Sequence, residues 1–270
     1  MGPLFRWAGS KRKILPHIKR HLPPIYKRYF EPFCGSACLY FDIRPQQATL
    51  SDMNPELIHA YLMVRDNPLQ VHDFLSGLTV SPEEYLRIRG LDERTLADNE
   101  RAGRFIYLNK LCFNGVYRTN LQGKFNVPMG VRTGSIPTLD ELLDYSKVLQ
   151  GVEFLAGDFQ AIVDRAEEGD FIYLDPPYSK PESRKRGEYG PNSFDFSDIQ
   201  RLVDSLKSAE QRGISFTLSY CESDALLESI SPDWFVESLS VRRHVAGFHQ
   251  HRRVVGELLI SNRTAEVRGI

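Results

Sequence analysis

The period of the apolar positions changes twice along the chain, and those changes divide it into three stretches. Near the N-terminus the apolar runs are short and broken by small residues and prolines. Arg12–Arg20 carries a helical pattern that the His21-Leu-Pro-Pro24 break closes. Tyr29–Phe33 reads as a strand entering Cys34-Gly-Ser-Ala37, Cys38–Ile43 as a helix, and Ala48–Ser51 as a second strand ending at Asp52. From Pro55 to about Leu111 the spacing lengthens to that of helices, in ELIHAYLMVRD, PLQVHDFLSGL, PEEYLRIRGL and ERAGRFIYLNKL. Tyr117–Val127, YRTNLQGKFNV, predicts a hairpin turning at Gln122-Gly123. After about Gly151, strands and helices alternate. Strands are expected at Glu153–Ala156, Phe171–Leu174, Ser215–Ser219, Phe235–Val241 and Val254–Ile260, and helices at Phe159–Glu167, Phe196–Gln211 and Ser223–Ser229.

An α/β rhythm interrupted by helices predicts a Rossmann-like α/β sheet domain, residues 1–55 and 151–270. A mainly helical domain carrying the hairpin, residues 56–150, is expected as an insert in it. The last two strands lie close enough in sequence to pair as a hairpin, so the sheet is expected to be mixed.

Composition narrows the class. The 270 residues are 41% hydrophobic and 26% charged, which suits one or two ordinary globular domains. No apolar run approaches a membrane span, and MGPLFRWAGSKRK lacks a signal core, so the expected location is the cytoplasm. Cys34, Cys38, Cys112 and Cys221 form no C-x-x-C, and no histidine pair stands near them at zinc spacing. Reduced thiols and no metal are expected; His249 and His251, two apart, are a weak metal candidate.

The net charge of −1 hides strong local runs. Met1–Phe30 holds eight Lys or Arg and no acid, and Arg104–Gly134 holds five and no acid. Val241–Val255 holds four Arg and three His without an acid, whereas Asp140–Asp170 is acidic. Each basic run alone is ordinary solvated surface; several together can follow a line of phosphates.

Two motifs carry chemistry. In EPFCGSA, Glu31–Ala37, a turn of small residues after a strand lets backbone approach a ligand, with a helix start beyond it. Asp52 ends the next strand, seventeen residues after Gly35, where an acid suits a ribose diol. No G-x-G-x-x-G is present to cradle a pyrophosphate, so a nucleoside without phosphates fits better than a nicotinamide cofactor. S-adenosylmethionine (SAM) is such a ligand. The second motif is Asp175-Pro-Pro-Tyr178 in FIYLDPPYSK. Two prolines stiffen a loop at a strand end, where α/β ligands bind. The Asp175 carboxylate and the Pro176 carbonyl can accept both hydrogens of an exocyclic amine, and the Tyr178 ring can stack on a base. Such a site would work by positioning and electrostatics, with no covalent enzyme intermediate.

With these motifs in order, the chain resembles the DNA adenine-N6 methyltransferases of the Dam type. RWAGSKRKILPHI, EPFCGSACLYF, LSDMNPELIHAY, FIYLNKLCFNGVYRTNLQGKFNVPMG, IYLDPPY and VRRHVAGFHQHRRVVGELLISN each resemble a family segment, over the length of the chain. The resemblance implies a SAM site at Trp7, Lys11, Phe33, Gly35, Asp52 and Asp175. It implies a catalytic loop of Asp175, Pro176 and Tyr178 around an adenine flipped out of double-stranded DNA. It further implies DNA contacts by Arg6, Phe113, Asn114, Arg118, Lys124 and Pro128. Arg118 falls at the family's guanine-reading arginine, able to bind O6 and N7 bidentately, and Pro128 at an apolar thymine contact. Phe113 falls where a ring borders the vacated base position. GATC is the recognition sequence this implies, although Val116 is smaller than the leucine common there. A simple phosphate contact is the plainer reading of Arg118 and Lys124.

The chain departs from the family where Ala37 replaces a usual glycine of the SAM loop, and in the charged stretch ESRKRGEY, Glu182–Tyr189. The latter reads either as a lid over DNA or as a solvated loop. The expected protein is a monomer or weak dimer of bacterial, archaeal or phage origin, working alone or beside a cognate restriction endonuclease. Rival readings are methyl transfer to cytosine N4, RNA adenine or a protein glutamine, and an inactive DNA-binding relative. Asp175 favours adenine by family analogy, since the cytosine enzymes more often carry Ser there and the glutamine enzymes Asn. An inactive relative would be expected to have lost Asp175, Tyr178 or Asp52.

Overall fold

The computed structural model of the chain describes residues 1–120, 122–178, 194–242 and 254–263. His249, His251, the ESRKRGEY stretch and most of the C-terminal RTAEVRGI lie outside the described residues. The elements run α1 (Leu15–Arg20), β1 (Tyr29–Glu31), α2 (Cys38–Ile43), β2 (Ala48–Asp52), then α3 (Pro55–Asp66), α4 (Pro68–Ser76), α5 (Pro82–Gly90), α6 (Asp98–Leu111) and α7 (Leu139–Leu149). The chain then returns through β3 (Val152–Ala156), α8 (Phe159–Asp164), β4 (Phe171–Leu174), α9 (Phe196–Gln211), β5 (Ser215–Cys221), α10 (Asp224–Ser229), β6 (Phe235–Arg242) and β7 (Val254–Ser261).

The strands form one 7-stranded sheet in the order β3-β2-β1-β4-β5-β7-β6. Its first five members are parallel and β7 runs antiparallel to both neighbours. The mixed Rossmann-like α/β class expected from the rhythm of the sequence is therefore the one observed. Alternate residues of each strand face opposite sides. Phe30, Ile172, Leu174 and Leu218 pack with α8 and α9 on one face. Tyr29, Leu50, Phe171 and Tyr173 share a second cluster with α3, α6 and α7 on the other, so the helices between β2 and β3 share a core with the sheet. Each fully buried aliphatic or phenyl side chain contributes about 1.5–3 kcal/mol.

Helix starts follow the sequence. Asn54 caps α3 by accepting from Glu56 N and Leu57 N, with Pro55 at the first turn. Thr138 and Glu141 form a capping box at α7, a helix not anticipated from the sequence, whose acidic surface obscured its apolar stripe. The predicted hairpin is also narrower than expected. Thr119 and Phe125 form an isolated antiparallel bridge, as do Cys112 and Met129, in place of laddered strands. The tip is held by the Asn120 side chain, which accepts from Gln122 N and Lys124 N. Farther back, the return limb pairs with the end of α6, Gly130 N donating to the Leu111 carbonyl.

Candidate active site

Strand order reverses between β1 and β4, whose residues pair as Tyr29↔Phe171 and Phe30↔Ile172. Ligands of open α/β sheets bind outside the carboxyl ends of the strands at such a point. A groove of about 1000 Å3 opens there. Trp7, Lys11, Phe33, Gly35, Asp52, Asp175, Pro176 and Tyr178 all line it, although they span most of the sequence.

The strand period builds one wall. Glu31, Asp175, Ser219 and Glu257 have the parity of Tyr29, Tyr173 and Leu259, so they share one face near the strand ends. Lys11 lies over this polar row, 5% exposed, and its ammonium pairs with Asp175 Oδ1. It also lies 3.5 Å from Glu257 Oε1 and donates to the Gly9 carbonyl at 3.1 Å. Ser219 Oγ donates to Asp175 Oδ1 at 3.1 Å. Burial pushes the Asp175 carboxyl up and Lys11 draws it back. Glu31 is fully enclosed and accepts from the Tyr29 hydroxyl at 2.7 Å; burial pushes its carboxyl up to about 8. Tyr178 donates its hydroxyl to Glu257 Oε1 at 2.6 Å.

The opposite wall is the turn after β1. Gly35 has φ of +45°, and an added Cβ would meet Trp7 Cδ1 at 2.6 Å, so only glycine lets the loop and the indole approach. Asp52 ties two turns together: Oδ2 accepts from Gly35 N at 3.0 Å and Oδ1 from Asn54 N at 2.9 Å. Burial raises its carboxyl to about 6 and the two N–H donors oppose that rise. Each oxygen keeps a further lone pair for a ligand hydroxyl. Ala37 also has positive φ, 49°, but its methyl is buried in the core beneath the loop and does not line the groove. The departure from glycine there strains the backbone rather than crowding the ligand space. Phe33 stacks on Phe159 at 5.3 Å and meets Phe194 edge-on at 5.8 Å, an aromatic shelf of which only Phe33 was anticipated.

The groove continues past Trp7 to the loops after α6. Trp7 stacks on Tyr117 at 6.1 Å, and Tyr117, Thr119 and Gly123 line this end. Among the residues expected to meet DNA, Phe113, Asn114, Arg118, Lys124 and Pro128 are exposed. Phe113 is 42% exposed, unusual for an aromatic ring, and Asn114 holds a φ of +54° at the same tip. Arg118 Nε donates to Asn126 Oδ1 at 2.8 Å. Arg6 is set differently: its guanidinium donates to the carbonyl oxygens of Lys110, Cys112 and Arg132, bracing the exposed loop from beneath. Cys34, Cys38, Cys112 and Cys221 form no disulfide.

The sequence does not single out Glu31, which lines the groove, or Glu257, which lies behind Tyr178 and Lys11. Both are single acids inside apolar strands, and strand parity relative to Asp175 is the signal that marks them.

The family model for D12 class N6 adenine-specific DNA methyltransferases matches residues 7–244. A type II methyltransferase of Lactococcus lactis subsp. cremoris is 33% identical over 96% of this chain and 95% of its own length. A DNA N-6-adenine-methyltransferase of an Escherichia phage is 32% identical over 95% of this chain and 35% of its own length. A type II methyltransferase of Methanocaldococcus jannaschii is 32% identical over 80% of this chain and 83% of its own length. With the family match covering most of the chain, from Trp7 past the β4 loop to the end of β6, the chain belongs to the D12 class N6 adenine-specific DNA methyltransferases.

Proposed function

We propose that the groove binds SAM beside an adenine rotated out of double-stranded DNA, and that the product is N6-methyladenine at GATC. The observation that carries this reading is the convergence of Asp175, Pro176, Tyr178, Lys11, Asp52, Gly35 and Trp7 on one groove. About 1000 Å3 lies at the upper end of the range for small-molecule pockets, room for a nucleoside cofactor and a base together.

The residues present fit SAM. Asp52 offers acceptors to a ribose diol, and Gly35 admits backbone contact where any side chain would collide with Trp7. The acids Asp52 and Asp175 suit a ligand carrying positive charge. When bound, SAM supplies the electrophilic methyl group. The chain's own part is to hold the amine. Both described bonds to Asp175 use Oδ1, and the N6 amine would take Oδ2 and the Pro176 carbonyl. Two acceptors fix two N–H groups and draw the nitrogen lone pair out of ring conjugation. Lys11 opposes the rise that burial imposes on the Asp175 carboxyl, and an ionised carboxylate is what the amine requires. The Tyr178 ring receives the face of the base.

On the DNA side, Phe113 and Asn114 form the exposed tip that would meet the duplex, with Arg118 and Pro128 reading base edges and Lys124 on phosphate. Arg6, whose guanidinium braces this loop, would add only its remaining donors. Expression in a host lacking adenine methylation, followed by modification-sensitive sequencing, tests the reading. N6-methyladenine at every GATC supports reaction and site together. Methyladenine at another motif keeps the reaction and discards the assignment of Arg118 and Pro128. Methylcytosine, or an unmodified genome from a folded protein, overturns the proposal.

A further inference from the structure

Glu257 is an acid with no evident reason to be where it is. It is 1% exposed, on β7, opposite Cys221 of β5. Its inward neighbours on the same strand are Leu259 and Ser261. A buried carboxylate is costly unless its oxygens are matched, and an aliphatic residue would fill a strand interior at less expense. Both of its described partners belong to the groove. Tyr178 donates its hydroxyl to Oε1 at 2.6 Å, and the Lys11 ammonium lies 3.5 Å from the same oxygen.

The Tyr178 ring is thereby located from three directions. Glu257 holds its hydroxyl, Tyr220 packs edge-on at 5.1 Å and 76°, and Lys11 stands 5.1 Å from its centroid. Tyr178 follows Pro177 on the loop after β4, whereas Glu257 belongs to β7, which lies two strands away with β5 between. The contact therefore ties the end of a loop to a rigid element. A stacked base gains its energy only when the two planes meet in register, so a ring free to turn would hold the target amine less often in line for attack.

We propose that Glu257 is a positioning residue for methyl transfer: by accepting the Tyr178 hydroxyl it sets the ring on which the target base stacks. This rests on the methyltransferase reading above. Four variants test it in steady-state methylation of duplex DNA. Glu257→Leu removes the acceptor at similar volume, Glu257→Gln keeps an acceptor without charge, and Tyr178→Phe keeps the ring without the hydroxyl. The fourth is the double variant Glu257→Leu, Tyr178→Phe. Loss of a hydrogen bond to a charged group predicts a fall in kcat of about tenfold for Glu257→Leu, with KM for SAM within about twofold. Glu257→Gln should recover most of that loss. Tyr178→Phe should fall by a similar factor, and the double variant no further than the lower single one, because the two changes break one contact.

A kcat for Glu257→Leu within about twofold of wild type overturns the proposal, as do losses that multiply in the double variant. If Glu257→Leu does not fold, Glu257→Gln in the Tyr178→Phe background decides: no further change supports the proposal, and a further several-fold loss overturns it. A wild-type protein that makes no N6-methyladenine overturns the parent reading, and this one with it.

Discussion

Replacing Lys11 with Met would remove the one described cation that lies against both Asp175 and Glu257. Lys11 is 5% exposed, Asp175 18% and Glu257 1%, so the three charges are largely withdrawn from water. Taking one partner from a buried pair leaves an uncompensated charge and costs about 3–5 kcal/mol; the partial exposure of Asp175 points to the lower end. The cost should depend on pH, and its sign follows from the groups. Burial holds the folded Asp175 carboxyl above its ordinary range, and Lys11 opposes that rise. The native state therefore binds the Asp175 proton more tightly than the unfolded chain, and stability falls as pH rises through that window. Without Lys11 the carboxyl moves higher still, and Glu257, which already pushes it up, adds to the effect. Below the new value a proton replaces the lost cation. Urea unfolding of wild type and Lys11→Met at about pH 8 and about pH 5 should show a penalty near 3 kcal/mol at the higher pH that shrinks at the lower. The acid limb of kcat/KM should also move to higher pH, since a protonated Asp175 cannot accept from the amine at that oxygen. An equal penalty at both pH values, or an acid limb that does not move, would refute the electrostatic role given to Lys11.

Other outcomes follow from the same geometry. Asp175→Ala should reduce turnover below detection while DNA affinity, measured by anisotropy, changes by less than about threefold; near-normal turnover would remove Asp175 from the chemistry. SAM affinity should fall as pH drops through about 6, where Asp52 takes a proton and loses acceptors, and calorimetry on Asp52→Asn should show weak binding without that dependence. Protein stability moves oppositely: the raised Asp52 carboxyl favours the native state at acid pH and loses that contribution as pH climbs to about 6. Gly35→Ala combines a φ of +45° with a 2.6 Å approach to Trp7, so it should cost about 1–2 kcal/mol in backbone strain and weaken SAM binding at least tenfold; an unchanged melting temperature with and without SAM would contradict this. Arg118→Ala should cost about 1–3 kcal/mol and relax sequence choice if Arg118 reads a base edge, whereas a uniform loss across sequences means phosphate contact.

Much of the architecture was legible before any coordinates. Strand and helix periods differ, 2.0 against 3.6, so Cys38–Ile43, Phe171–Leu174 and Phe196–Gln211 could be read to the residue, and a mixed sheet with a helical interruption followed. The loop residues Gly35, Asp52 and Asp175 were legible for a related reason: each sits at a strand end, and strand ends are where this class of sheet exposes backbone to a ligand. Helix α7 escaped despite its Thr138–Glu141 box, because five acids from Asp140 to Asp158 made the stretch read as charged surface. The hairpin around Gly123 was legible too, though it is short: Asn120 N bonds to the Lys124 carbonyl and Asn126 N to the Arg118 carbonyl, whereas the return limb beyond them pairs with the end of α6, a partner that alternation alone does not name.

What the sequence by itself determined, then, was the set of local conformations and the chemical types at their ends. Which side chains share a site was decided only by tertiary structure. Lys11 meets Asp175 across 164 positions, Tyr178 meets Glu257 across 79, and Arg6 reaches the Lys110 carbonyl across 104. No local period encodes such distances. They arise because the sheet order brings β1, β4, β5 and β7 side by side and lays the N-terminal segment over their ends. There, burial changes what each acid does: Glu31 in an apolar strand becomes a proton-holding wall, and Glu257 becomes the anchor of a tyrosine. Period and propensity act over a few residues, whereas charge in a dry groove acts on whatever the fold brings within a few ångströms.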